Sequence, residues 1–260
     1  MKNLRQSLIS GQSVVGTWCN TVSPIVAELL AACGLDYVCV DAEHSAVDVP
    51  QAQILFQAIA SGNPDCAAVV RVHGVDYSFI KRYVDAGARG IICPLINSRE
   101  DAELLVSAVK YPPQGNRGVG FCRANQYGLR VQEHYKDANS EILVAVQIEH
   151  IDAVEKIDEI LSVEGVDAVF IGPYDLTASM GIAGQFDHPD YMHAQKRILS
   201  ACKKHEIVPG IHVVQPDKCE LERRVDEGYR FLAYSLDITM LLNSAKEGVD
   251  TFRNALKSAK

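Results

Sequence analysis

Short apolar, β-branched runs recur along the chain, at 14–19, 37–41, 67–72, 90–96, 142–149, 168–172, 208–214 and 231–237. Their bodies are apolar enough to be buried strands. Between most of them the period lengthens to that of a helix, at 24–33, 50–60, 78–86, 98–110, 153–162, 189–205 and 218–227. Several helical stretches end in a glycine break, at Cys33-Gly34, Ala86-Gly87 and Glu227-Gly228, as a helix does before the next strand. Strand–helix alternation implies parallel βαβ units. Eight strands in a chain of this length match the (β/α)8 barrel in number and size.

A doubly wound sheet is the alternative, and it calls for a glycine-rich turn after the first strand. Asn20-Thr21-Val22-Ser23-Pro24 is no such turn. Gly118-Val119-Gly120 follows a proline-rich loop, not a strand, so it carries no nucleotide signal. The reading is one α/β domain over 1–260, a (β/α)8 barrel. One connection, 111–140, is unusually long, and long loops in compact domains tend to be functional. It starts at the N-terminal face of the barrel, and either reaches a neighbouring subunit or wraps toward the mouth. The last segment, 238–258, is an amphipathic helix that either closes the barrel or packs on a partner chain.

Composition narrows the class of protein. The chain of 260 residues is 48% hydrophobic and 22% charged, enough for a substantial core and against disorder. A net charge of −8 argues against nucleic acid. The first ten residues lack the apolar core of a signal peptide, and no apolar run approaches the roughly 20 residues of a membrane span. The eight cysteines are scattered without a CxxC pair. They read as reduced, mostly buried thiols of a cytoplasmic protein and not as a zinc or iron–sulfur site.

Catalytic groups of barrel enzymes gather at the C-terminal ends of the strands. There the chain places Asp41-Ala42-Glu43-His44, Arg71, Asn97, Gln147-Ile148-Glu149, Gly172-Pro173-Tyr174-Asp175, His212 and Asp237. Glu149 and Asp175 each end a buried run. Two carboxylates from different strands at one rim suit a hard divalent cation with open positions. A lone acid after a strand also serves as a helix N-cap, and Asp237 is better explained that way. Asp41 and Glu43 read as supports for the site. His73, His150, His188 and His205 read as structural. Arg71 ends a buried strand, and its guanidinium needs an anionic or carbonyl partner there. No strand run contains a lysine, which removes the amine that a Schiff-base aldolase needs and favours a metal as electron sink.

The chain resembles the HpcH/HpaI family, the divalent-metal (class II) pyruvate aldolases of the phosphoenolpyruvate/pyruvate barrel superfamily. The carriers span nearly the whole chain: Gly16-Thr17-Trp18, Asp41 to His44, Val70-Arg71-Val72, Pro94 to Ser98, the stretch 111–120, Val146 to Glu149, the stretch 163–176, and Pro209 to His212. The resemblance implies that Glu149 and Asp175 bind Mg2+, Mn2+ or Co2+, which holds a 2-oxo acid and acts as a Lewis acid on it. It implies that Arg71 faces the developing enolate oxygen, that Gln147 bonds within the site, and that N–H groups after Gly172 and Pro173, from Tyr174 and Asp175, bind the substrate carboxylate. His44 matches the base. Asp85 matches an acid that orients this histidine from a neighbouring subunit, and Arg123 a group at the far end of the substrate. Ala42, Ser45, Tyr174 and His212 depart from common relatives and point at the aldehyde pocket.

The activity implied is reversible cleavage of a 4-hydroxy-2-oxo acid, such as a 2,4-dihydroxyhept-2-enedioate, a 2-keto-3-deoxy sugar acid or 4-hydroxy-2-oxovalerate, to pyruvate and an aldehyde. Oxaloacetate decarboxylation and an acyl-CoA lyase reaction of the citrate-lyase β kind are the alternatives at the same site. The family also implies a homohexamer, a trimer of dimers exchanging the C-terminal helix.

Overall fold

The eight apolar runs form the strands of a closed cylinder. The computed structural model describes residues 3–258. The remaining positions of the 1–260 domain reading, 1–2 and 259–260, lie outside the described residues. The strands are β1 (Val14–Cys19), β2 (Tyr37–Asp41), β3 (Ala67–Arg71), β4 (Gly90–Cys93), β5 (Leu143–Ile148), β6 (Ala168–Ile171), β7 (Val208–Val213) and β8 (Phe231–Leu236). Each pairs in parallel with its neighbours in sequence, and β8 returns to β1. The fold is a (β/α)8 barrel.

Around it run α1 (Leu4–Ile9), α2 (Pro24–Ala32), α3 (Val49–Gly62), α4 (Tyr77–Asp85), α5 (Arg99–Val109), α6 (Val131–Glu141), α7 (Ile151–Glu155), α8 (Ile157–Leu161), α9 (Pro173–Ser179), α10 (Pro189–His205), α11 (Lys218–Asp226) and α12 (Asp237–Ser258). One core fills the barrel, with Tyr37, Val69, Ile92, Leu143, Phe170 and Phe231. A second lies between sheet and helices, where Val38, Ile91, Val146 and Ile211 meet Phe56, Ile80, Leu105 and Ile198.

Local chemistry sets the helix ends. Asp48 and Gln51 form a reciprocal capping box on α3, and Ser98 accepts from the Asp101 N–H at 3.1 Å to start α5. The predicted break after α4 is a left-handed turn, with Gly87 at φ +109°. A Cβ there would also run into the Arg123 guanidinium, which donates to the Ala86 carbonyl at 3.1 Å.

Several expectations need correction. The helix expected at 153–162 is two short ones that meet at Lys156. The short helices α1 and α9 were not foreseen. The long connection does not wrap toward the mouth. It stays at the N-terminal face, where Arg117 bonds Asp85 and Arg123 bonds Ala86, the two residues that end α4. The terminal helix does not close its own barrel. Only Asp237 of α12 is buried, and residues 241–258 are exposed throughout.

Candidate active site

The site is assembled where β2, β3, β5, β6 and β7 give way to loops. Asp41 and Arg71 are paired in register at the ends of β2 and β3. Arg71 donates from Nε to Asp41 Oδ1 at 2.9 Å and from Nη2 to Oδ2 at 2.7 Å, a two-point contact that fixes the guanidinium plane. Its Nη1 lies 3.1 Å from Glu43 Oε2. Asp41 is 1% exposed. Burial works against its charge, but Arg71 and the N–H groups of His44 and Glu43 outweigh that and hold its carboxyl below the usual range. The same carboxylate therefore orients Arg71 and pins the turn that carries His44. Asn20 Nδ2 adds a bond to Asp41 Oδ2 at 2.9 Å. The His44 ring is exposed, with Nε2 3.9 Å from Glu43 Oε2.

Trp18 ends the set on β1. The Arg71 guanidinium carbon lies 4.1 Å from the centroid of the indole ring, and the His212 ring stacks on it at 5.2 Å. The β1–β8 register slips between Gly16 and Trp18, a bulge beside the site. Thr17 Oγ1 there donates to the Tyr234 and Ser235 carbonyls at 2.8 and 3.1 Å, with Ser235 held at φ +55°. His212 Nε2 is 3.1 Å from the Ser235 carbonyl, which only accepts, so the proton sits on Nε2. Burial is the main force that pushes the imidazole down, to about 4.

Glu149 follows β5 and is buried. Its Oε1 accepts the Leu95 N–H at 2.8 Å, and Gln147 Nε2 donates to Oε2. Leu95 adopts φ +57° to aim that N–H. Gly172 closes over the carboxylate, and a Cβ there would come to 2.9 Å from Glu149 Oε2. Burial raises the Glu149 carboxyl above its ordinary value, the Gln147 and Leu95 bonds oppose the rise, and the charge of Asp175 adds to it. Asp175 is exposed in the first turn of α9, where Leu176 N–H is bonded to the Gly172 carbonyl at 3.0 Å. Tyr174, beside it, is exposed and meets Phe186 edge-on at 4.9 Å. Pro173 is buried at the start of α9 and has no N–H to offer.

The donor set fits a hard divalent cation. Glu149 is buried, and the charge of Asp175 adds to the cost of ionising it, only partly offset by Gln147, Leu95 and Arg71. Among the described residues no group of three or more Asp, Glu, His or Cys is arranged to hold an ion. Buried polar atoms without a partner, Trp18 Nε1, Asn20 Oδ1 and Gln147 Oε1, lie on the same rim. Unpaired groups of that kind are expected where a polar ligand completes the site.

Two expected site residues are not brought to this rim. Asp85 ends α4 and Arg123 lies in the long connection, both at the opposite face. Asp237 has the structural use expected of it. Its carboxylate accepts the Asn20, Thr21 and Ile238 N–H groups at 3.0, 3.0 and 2.8 Å and so clamps the loop after β1. His150 and His188 cap helices, accepting the Asp152 and Asp190 N–H groups at 3.2 and 3.3 Å, and His205 bonds Asp158 at 2.8 Å. Trp18 and Leu95 carry roles that the strand-end reading missed. Trp18, the one tryptophan of the chain, at the end of the first strand, was a usable signal.

The family model described as HpcH/HpaI aldolase/citrate lyase matches residues 14–244. The chain is 39% identical over 242 residues to a hydroxypyruvate/pyruvate aldolase of Sagittula stellata, covering 93% of this chain and 94% of that one. It is 33% identical over 250 residues to the 5-keto-4-deoxy-D-glucarate aldolase of Escherichia coli K12, covering 96% of each. The structure superposes on a HpcH/HpaI aldolase/citrate lyase family protein from Burkholderia cenocepacia with a TM-score of 0.92 and 33% identity, over 97% of this chain and all of that one.

Proposed function

The chain belongs to the HpcH/HpaI aldolase/citrate lyase family and is a carbon–carbon lyase; from that premise we propose that it cleaves a 4-hydroxy-2-oxo acid reversibly to pyruvate and an aldehyde. One observation carries the reading: the Glu149 and Asp175 carboxylates share a rim with a doubly anchored Arg71 and an exposed His44. Relatives named for pyruvate, hydroxypyruvate and a keto-deoxy sugar acid support this substrate class.

Glu149 and Asp175 are the residues that would hold a divalent cation, Mg2+, Mn2+ or Co2+, and the cation would supply Lewis acidity toward the 2-oxo acid. The chain's own groups do the rest. The N–H groups of Tyr174 and Asp175, at the open end of α9, receive the substrate carboxylate. Gln147 bonds within the pyruvate half. His44 takes the proton from the C4 hydroxyl. The C3–C4 electron pair then moves toward C2, the aldehyde departs, and negative charge grows on the C2 oxygen beside Arg71. His44 returns the proton to C3. Trp18, Tyr174 and His212 border the aldehyde half.

Asp85 and Arg123 cannot reach their own mouth from the N-terminal face. In this proposal they serve His44 of the partner subunit and the far end of its substrate, within a hexamer built from dimers that share α12. The same proposal places the enzyme in the cytoplasm. All eight cysteines are free thiols, five of them buried, as a reducing compartment allows. Among the described residues no helix is long and apolar enough to cross a membrane.

The test is pyruvate release from a panel of 4-hydroxy-2-oxo acids before and after chelation. Chelation should abolish it, and added Mg2+ or Mn2+ should restore it. Activity that survives chelator and is trapped by borohydride would sink the mechanism. Pyruvate formed from oxaloacetate alone, with no aldol substrate cleaved, would favour decarboxylation.

A further inference from the structure

The long connection holds an ion pair that stability does not explain. Arg117 is 2% exposed, and its Nη2 donates to Asp85 Oδ1 at 2.6 Å. The guanidinium carbon lies 4.4 Å from the centroid of the Tyr111 ring. Backbone bonds from Asn116 to Ser107 (2.7 Å) and from Arg117 to Lys110 (2.9 Å) tie the segment to the end of α5. Burying such a pair gains little over apolar packing of the same volume. This pair is also poorly satisfied, since Arg117 Nε, Tyr111 OH and His134 Nε2 are all buried without a partner. Its bond engages one oxygen of Asp85, and that side chain keeps 20% of its surface open. The neighbouring cavity, about 640 Å3, is lined by Arg117, Arg123 and His134 among others.

We infer that Arg117 is a positioning residue: it holds one oxygen of Asp85 so that the other is presented outward as a fixed carboxylate. The inference rests on the proposed action of Asp85 on His44 of the partner subunit, and it gives the long connection a purpose beyond cover. A base oriented by a carboxylate needs that carboxylate held rigid. A guanidinium donating at 2.6 Å fixes it in place.

Titratable groups around the pair include Tyr111, Cys122 and His134, with Tyr135 against Tyr111 and Asp137 acting on His134. Burial pushes the Tyr111 phenol and the Cys122 thiol up and the His134 imidazole down, so these three are neutral near pH 7. On its own rim His44 has Glu43 Oε2 3.9 Å from its Nε2 and donates its N–H to Asp41, and the test leaves both acids in place.

The test is a double-mutant cycle on the metal-loaded enzyme, with Arg117→Gln, Asp85→Asn and both together. It reads kcat, KM, the pH profile of aldol cleavage and the inhibition constant of oxalate, which mimics the pyruvate enolate. Arg117→Gln should lower kcat by about tenfold to a hundredfold. It should move the acid limb of the profile in the direction that Asp85→Asn moves it and leave oxalate inhibition unchanged. The double variant should be no worse than Asp85→Asn. A normal kcat and profile in Arg117→Gln beside an impaired Asp85→Asn would make Arg117 a mere loop staple, as would multiplicative losses. An unimpaired Asp85→Asn would overturn the action of Asp85 itself, and the inference with it. Should the glutamine variant fail to fold, Arg117→Lys carries the same cycle, and its loss of kcat must vanish in the Asp85→Asn background.

Discussion

Asp41 grips Arg71 through two parallel bonds of 2.9 and 2.7 Å at the rim between β2 and β3. The same carboxylate accepts the Glu43 N–H at 3.1 Å and the His44 N–H at 3.3 Å. One buried acid therefore fixes both the Arg71 guanidinium and the turn that carries His44. Asp41→Asn keeps the size but loses the charge and presents an amide where Arg71 needs an acceptor. We expect a loss of about 3–5 kcal/mol in stability, the cost of breaking a buried pair. Denaturant titration checks that figure. We also expect kcat to fall about a hundredfold, as misplacement of a catalytic group does. Arg71→Lys should lose nearly as much rate, because an ammonium cannot make the two-point contact.

The two proposed cation ligands differ in what else they do, and their variants should differ accordingly. Glu149 is buried and accepts the Leu95 N–H and the Gln147 amide. In Glu149→Gln a donor faces one of those donors, which costs about 1–3 kcal/mol. Asp175 is exposed in the first turn of α9, so Asp175→Asn should leave the melting temperature within about 2 °C. Both variants should lose Mn2+ binding by calorimetry and aldolase activity. Equal melting temperatures for the two would refute the structural half of this prediction.

Burial on both faces made the eight strands readable, because continuous β-branched runs separated by helical periods have few other solutions. The place of Arg71 and Glu149 at strand ends was readable for a related reason: a charge that closes an apolar run marks where the run meets the rim. Leu95 was not readable. Its role is a backbone N–H aimed by φ +57°, and a leucine side chain says nothing of that. Asp41 was seen as a support, but its grip on Arg71 depends on β2–β3 register, which local sequence does not encode. The outward course of α12 was equally hidden, since an amphipathic helix reads the same on its own barrel or on a partner.

His212 should make the protein acid-sensitive in a defined window. Its folded-state value of about 4 lies below the ordinary imidazole value of 6.5. The unfolded chain therefore binds more protons between those limits, and stability falls as pH drops from about 6.5 toward 4. In His212→Phe, which keeps a ring against Trp18, that part of the acid slope should disappear. Melting temperatures of the two proteins from pH 7 to pH 4 measure it. Parallel curves would show that His212 does not titrate on unfolding.

The terminal helix gives the last prediction. Beyond Asp237 it carries Ile238, Leu241, Leu242, Val249, Phe252 and Leu256, each at least 46% exposed. An apolar face of that length exposed to water is unfavourable by roughly 25 cal/mol for each Å2 left wet. Asp237, the buried residue of the helix, clamps the loop after β1 and can stay when the rest of the helix is removed. Deletion of residues 239–260 should therefore leave a folded barrel with native circular dichroism. Its mass by light scattering should drop below that of the full chain. The proposed use of Asp85 in a neighbouring site adds a second readout: kcat for aldol cleavage should fall with the mass and become dependent on protein concentration. A truncated protein of full mass would assign assembly to another face, and a monomer of undiminished kcat would remove Asp85 from the reaction.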